Sequence, residues 1–291
     1  MGSRRAMDKA SPSRTQEPAG PASPGAALCA YTRGEIDAAH EALADPDLHE
    51  GVHLARKAIR RARAALALGD GLLGPGAGLL DRELRALNRG LSTLRDAHAL
   101  VEVLDRLLKR ERKDDVRQVL TRACEAAVAA RSRVGAAAIQ TDPGLGARRA
   151  LLAVFRAALP ALDWHRLTSA GLRMGVADSD LRTREAQARA RHSGDDEDWH
   201  RWRRRARRAS QQRRALELIG LPVAAASELF DKRTAEQLGR AQDLALLLDH
   251  CRRDSPFSKQ DRQALRERAE PALRRARRRI ARNLDVACQA D

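Results

Sequence analysis

From Tyr31 onward the apolar positions fall at helical spacing, and no run alternates convincingly as a strand. Val52, Ala55, Ile59, Ala62 and Leu66 make one such stripe, and Leu80, Leu84, Leu87, Leu91 and Leu94 make another. β-Branched residues are few. The pattern predicts an all-α protein. Asp45-Pro46-Asp47 separates a first helix from the one carrying His53, which ends at Gly69-Asp70-Gly71 and Gly74-Pro75-Gly76. A helix from about Leu79 to Lys109 is expected next. Thr141-Asp142-Pro143-Gly144 closes the following helix and divides the chain. In the second half, Asp178-Ser179-Asp180 and the run from Ser193 to Asp198 read as breaks. Gly220-Leu221-Pro222 ends the helix of His200, and a last helix spans about Lys259 to Val286 with Pro271 inside it.

The polar positions repeat. His53 is followed by basic residues at +3, +4, +7 and +8, and so is His200, 147 residues later. Leu91 to Asp96 and Leu238 to Asp243 keep the same offset. A register held without a gap predicts an internal duplication, with repeat 1 over about 31–141 and repeat 2 over about 147–291. Residues 1–30, rich in Pro, Ser, Gly and Ala, are expected to be a disordered tail.

Each repeat carries a basic stripe. His53, Arg56, Lys57 and Arg60 share one helix face, opposite the apolar stripe. Arg82, Arg85 and Arg89 form a stripe on the next helix. The His200 helix presents Arg203, Arg204 and Arg207 and extends to Arg214, while Lys232 is the repeat partner of Arg85. Charged outer faces are ordinary on amphipathic helices, but the arginines and lysine of the two histidine-led stripes lack acidic residues at i±4, and like charges at that spacing repel. The arrangement also occurs twice, which predicts a functional anion-binding surface. Asp96 and Asp243 are expected to orient arginines from neighbouring helices. The acidic run before His200 reads as a favourable lead into a helix N-terminus.

Composition narrows the ligand. Lys and Arg number 55 against 39 Asp and Glu, giving a net charge of +16, and such a surplus calls for a polyanion. Aromatic residues are only 2%, too few for the stacking platforms of single-stranded nucleic-acid binders, so a ligand of phosphate without bases is favoured. The four cysteines are scattered and form no CxxC, fitting reduced thiols in a cytoplasmic protein rather than a metal site or disulfide framework. No phosphate loop, GxSxG or HExxH occurs, and no catalytic residue, cofactor or metal site is expected. No stretch is long and apolar enough to insert into a membrane.

Three motifs in order carry a family resemblance: VHxxRKxxRRxRxxL from Val52 to Leu66, LxxLNRxLxxLRDA from Leu84 to Ala97, and HxWRRRxRR from His200 to Arg208. The chain resembles the CHAD family from about Tyr31 to its end. The resemblance implies two pseudo-symmetric helical bundles around a basic central pore that binds inorganic polyphosphate. Its pore set would be His53, Arg56, Lys57, Arg60, His200, Arg203, Arg204 and Arg207. The expectation is a non-enzymatic polyphosphate-binding protein, cytoplasmic and targeted to polyphosphate granules. The alternatives are a nucleic-acid-binding protein, which the net charge alone equally supports, and a polyphosphate hydrolase, which would need a carboxylate cluster.

Overall fold

The computed structural model describes residues 23–223, 232–252 and 255–289. The described residues form helices joined by short turns, without a strand: α1 (Pro24–Ala42), α2 (Leu48–Leu66), α3 (Pro75–Gly90), α4 (Ser92–Arg110), α5 (Asp114–Thr141), α6 (Gly146–Ala158), α7 (Ser169–Ser193), α8 (Asp196–Leu218), α9 (Lys232–His250) and α10 (Lys259–Gln289).

The helices pack as four hairpins: α1 with α2, α4 with α5, α7 with α8, and α9 with α10. One helix of each hairpin joins a closed ring of contacts, in which α2 meets α4, α4 meets α9, α9 meets α8, and α8 returns to α2. The other helix of each hairpin supports its ring member. Three apolar clusters fill the space between ring and supports. One joins α1, α2 and α3 to α6 and the ends of α7 and α8, the second joins α4, α5, α9 and α10, and the third joins α7 to α10. All five residues of the Val52–Leu66 stripe and all five of the Leu80–Leu94 stripe are buried, as their spacing requires.

Local chemistry explains most helix ends. Asp47 caps α2, accepting from His49 N at 2.9 Å and Glu50 N at 3.2 Å. Gly194 takes a left-handed conformation (φ 68°) after α7, where a residue with a Cβ would be strained. Asp196, Glu197 and Asp198 occupy the first turn of α8, where their charge suits the helix dipole.

Three expectations need correction. Residues 24–30 do not belong to a disordered tail: Pro24 to Ala30 are the start of α1, and residues 1–22 lie outside the described ones. Ser23 caps that helix, Pro24 takes the first-turn position where its missing N–H costs nothing, and Gly25 lets the chain lie against the Trp164 carbonyl. A Cβ on Gly25 would stand 1.8 Å from that oxygen. The expected helix from Leu79 to Lys109 is two helices, α3 and α4, interrupted at Leu91 (ψ 0°). The break lets the leucine stripe finish in the first core while Leu100, Val103 and Leu104 turn into the second. Asp178-Ser179-Asp180 is no break but lies inside α7. Its carboxylates are neutralised, Asp178 by Arg182 at 2.7 Å and Asp180 by Arg213 of α8, so tertiary pairing overrides weak helix propensity.

A candidate polyanion site

The basic faces of α2 and α8 meet across the ring. Arg56, Arg60, Arg203 and Arg207 converge, each partly buried. Burial pushes the Arg207 guanidinium down to about 9, and the charges of Arg60, Arg203, Arg56 and Arg204 add to the effect. Arg60 is pushed down to about 10 by burial and then by Arg56, Arg203, Arg95 and Arg61. Among the described residues no carboxylate pairs with either one. The guanidinium is the most basic group a protein has, so these arginines stay charged at neutral pH and repel one another. The arrangement is strained and the strain is electrostatic.

The rim of the cluster is better satisfied. Arg56 donates to the Asn88 carbonyl, but its Nε and that of Arg60 are buried without an acceptor. Burial lowers the proton affinity of Arg56 and Arg203, opposed by Asp96 and Asp243 respectively. Asp243 pairs with an arginine of a neighbouring helix, as expected of it, whereas Asp96 acts on Arg56 through its charge. Asp243 accepts from Arg106 of α4, bridging α9 to α4. Burial raises the Asp96 carboxyl, while Arg56, His250, Arg95 and His200 draw it back down, so charges from all four ring helices bear on it.

The histidines flank the arginines. His200 Nδ1 lies 2.9 Å from Gln242 Oε1 and donates to that oxygen, which fixes the orientation of the ring. His53 is held below its ordinary value by burial and by Arg95 of α4, with Glu50 and Glu102 opposing. An anion arriving here would remove the disadvantage of the charged imidazole.

The remaining expected residues lie farther out. Lys57 is exposed and acts on His53. Arg204 is exposed and pairs with Glu197 at 2.9 Å, while bearing last on Arg207. Arg214 pairs with Glu217 at 2.9 Å and its charge acts on Tyr31 of α1, away from the cluster. Arg85 and Arg89 are exposed on α3, and neither is among the charges pressing on Arg60 or Arg207. The side chain of Lys232 lies outside the described residues.

Sequence reasoning missed a group beside His53. His49 and His98 stack with ring centres 5.4 Å apart and planes within 5°. Arg131 of α5 approaches His98 Nδ1 at 3.5 Å, and Glu102 links Arg95 (2.8 Å) to the same patch. Burial, Arg131 and His98 together lower the His49 value. His250 of α9 bears on Asp96. The signal for Arg95 was present in the repeated stretch ending at Asp96. For His49 and His98 there was none, since they meet only through tertiary packing. Among the described residues no three His, Cys, Asp or Glu side chains form a metal-ligating group, and no helix is long and apolar enough to cross a membrane.

A family model, the CHAD domain, matches residues 30–252. The chain belongs to the CHAD family. Among solved structures, the CHAD domain from the plant Ricinus communis aligns at a TM-score of 0.55 with 20% identity, covering 91% of this chain and 88% of that one. At that identity the likeness speaks for the CHAD fold, which the ring of hairpins shares. No curated protein matches the sequence.

Proposed function

We propose that this CHAD protein binds inorganic polyphosphate in a channel along the axis of the four-helix ring, holding the polymer without cleaving it. The observation that carries the reading is the strained quartet Arg56, Arg60, Arg203 and Arg207: half-buried, mutually repelling cations whose missing partner is an anion. A linear phosphate chain would supply one negative charge after another along the axis, and planar guanidinium forks hold phosphate oxygens bidentately. Displaced counter-ions would add a favourable, salt-dependent term.

An internal duplication accounts for the quartet drawing equally on α2 and α8. Shifting α1, α2 and α5 by 147 residues gives 171–189, 195–213 and 261–288, close to α7, α8 and α10. The same operation carries His53, Arg56 and Arg60 onto His200, Arg203 and Arg207. The polymer would then lie near a pseudo-twofold axis, gripped alike from both sides. In the cell this activity would place the protein on polyphosphate granules in the cytoplasm.

The test is a titration of long-chain polyphosphate against DNA and RNA of equal charge at several salt concentrations. Polyphosphate should bind most tightly, displace nucleic acid, and lose affinity steeply as salt rises. An affinity that hardly moves with salt would remove the basic-channel reading, and a preference for nucleic acid would replace the ligand. Phosphate release from the polymer during the titration would contradict the non-catalytic reading.

A further inference from the structure

The α9–α10 hairpin carries cations that the central quartet does not use. A cleft of about 510 Å³ between these helices is lined by Arg240 and Gln237 of α9 and by Arg279, Arg282 and Asn283 of α10, with a single carboxylate, Glu236. Asn283 donates to Gln237 at 3.3 Å and ties the two walls together. A neighbouring hollow of about 490 Å³ shares Arg279 and Arg282 and adds Arg275 and Arg278.

Position on α10 sorts its arginines. Arg277 faces α8, where it pairs with Asp196 at 2.6 Å and covers the Trp199 ring at 5.4 Å. Arg275, Arg278, Arg279 and Arg282 are exposed, as is Arg240, and among the described residues no carboxylate lies within ion-pair distance of any of the five. The four on α10 stand at i, i+3, i+4 and i+7, one stripe about 10 Å long. Like charges so placed destabilise a helix, and among the described residues no acid on this helix pairs with them. The charges pressing hardest on Arg60 and Arg207 come from α2, α4 and α8, none from this cleft. All of α10 also lies beyond the residues that match the CHAD model.

We propose that the α9–α10 cleft is a second phosphate-polymer site, taking a separate stretch of inorganic polyphosphate on the outside of the molecule. The choice of polymer rests on the function proposed above; the existence of the site does not. No aromatic side chain lines either hollow, so bases would find no stacking platform. With two sites, one protein joins two stretches of polymer, and long chains become cross-linked without any protein–protein contact.

Calorimetry with tripolyphosphate, too short to bridge the sites, separates them. The native protein should bind two equivalents. R275E/R278E/R279E/R282E should bind one, and R60E/R207E should bind the other. With long-chain polyphosphate, the native protein should produce turbidity and each variant should not. Should the α10 variant fold poorly by circular dichroism, Arg→Gln at the same four positions keeps the helix and should still lose one equivalent. Unchanged stoichiometry and turbidity in the α10 variants would overturn the proposal. If they lose binding only to duplex DNA, the site serves nucleic acid and the polyphosphate assignment is overturned. If R60E/R207E keeps both equivalents while the α10 variant loses one, the central reading fails and this one stands.

Discussion

Replacing Arg207 by methionine should make the free protein more stable while crippling its binding. Methionine keeps an unbranched apolar stem in the same space but removes the charge that burial and four other arginines disfavour. The sign follows from proton linkage. Burial lowers the guanidinium in the folded chain to about 9, so between about 9 and its ordinary value the folded protein holds fewer protons than the unfolded one. At neutral pH, below both values, the group is charged in both states and the folded state carries the full penalty. A fall of about three and a half decades at about 1.4 kcal/mol each gives about 5 kcal/mol in a dry site. Water and salt reach this partly open cluster, and screening reduces the figure to about 1–2 kcal/mol. For a chain of this size that raises the melting temperature by roughly 2–8 °C. The gain should shrink as salt is added, since ions screen the same repulsion. Losing one charge-assisted grip should weaken polyphosphate binding by about 10- to 100-fold, from about 1.5–3 kcal/mol. Thermal unfolding at low and high salt, with and without polyphosphate, reads both effects. A variant that melts lower than the native protein at low salt would refute the reasoning, because Arg207 would then have a stabilising partner.

Three further outcomes follow from the geometry. Arg60→Glu and Arg207→Glu should weaken polyphosphate binding to a similar degree, measured by fluorescence titration; a loss confined to one of them would make the site belong to one half of the chain. His53 sits below its ordinary value, so bound polyanion should raise it. Affinity should then be highest below the free-state value and decline as pH rises through the bound-state value, as NMR titration of the imidazole and binding between about pH 5 and 8 would show. His53→Ala should flatten that profile while keeping most of the salt slope. Gly25→Ala should lower the melting temperature markedly by driving a Cβ into the Trp164 carbonyl, and unchanged stability would mean that residues 24–30 are not docked as described.

What was legible in the sequence was periodic. The stripes on α2 and α8 appear as spacing alone, because a helix face is a local property, and their register repeats in the second half. What the sequence concealed was relational. Asp178 and Asp180 looked like breakers because their partners, Arg182 and above all Arg213 on another helix, are settled by packing. The interruption at Leu91 was invisible because both α3 and α4 continue one leucine pattern, and only the existence of two cores requires a turn there. Arg214 continues the quartet's stripe along α8 on paper, and Arg85 and Arg89 make a similar stripe on α3, yet none of the three is among the charges pressing on Arg60 or Arg207. A stripe specifies a face, and the neighbours decide what that face meets.

The ring of contacts has a consequence for how such a chain can be divided. Two of its four joints, α2 with α4 and α8 with α9, lie within one half of the sequence, while the other two, α2 with α8 and α4 with α9, span the halves. Cut between α5 and α6, each fragment would keep two adjacent walls and expose the edges of both. Such a fragment could close the circle again only by borrowing walls from a second copy of itself. On the duplication proposed above, a single-unit ancestor would have worked as a dimer, and joining its genes would have turned a concentration-dependent assembly into one whose integrity no longer depends on how much protein the cell makes.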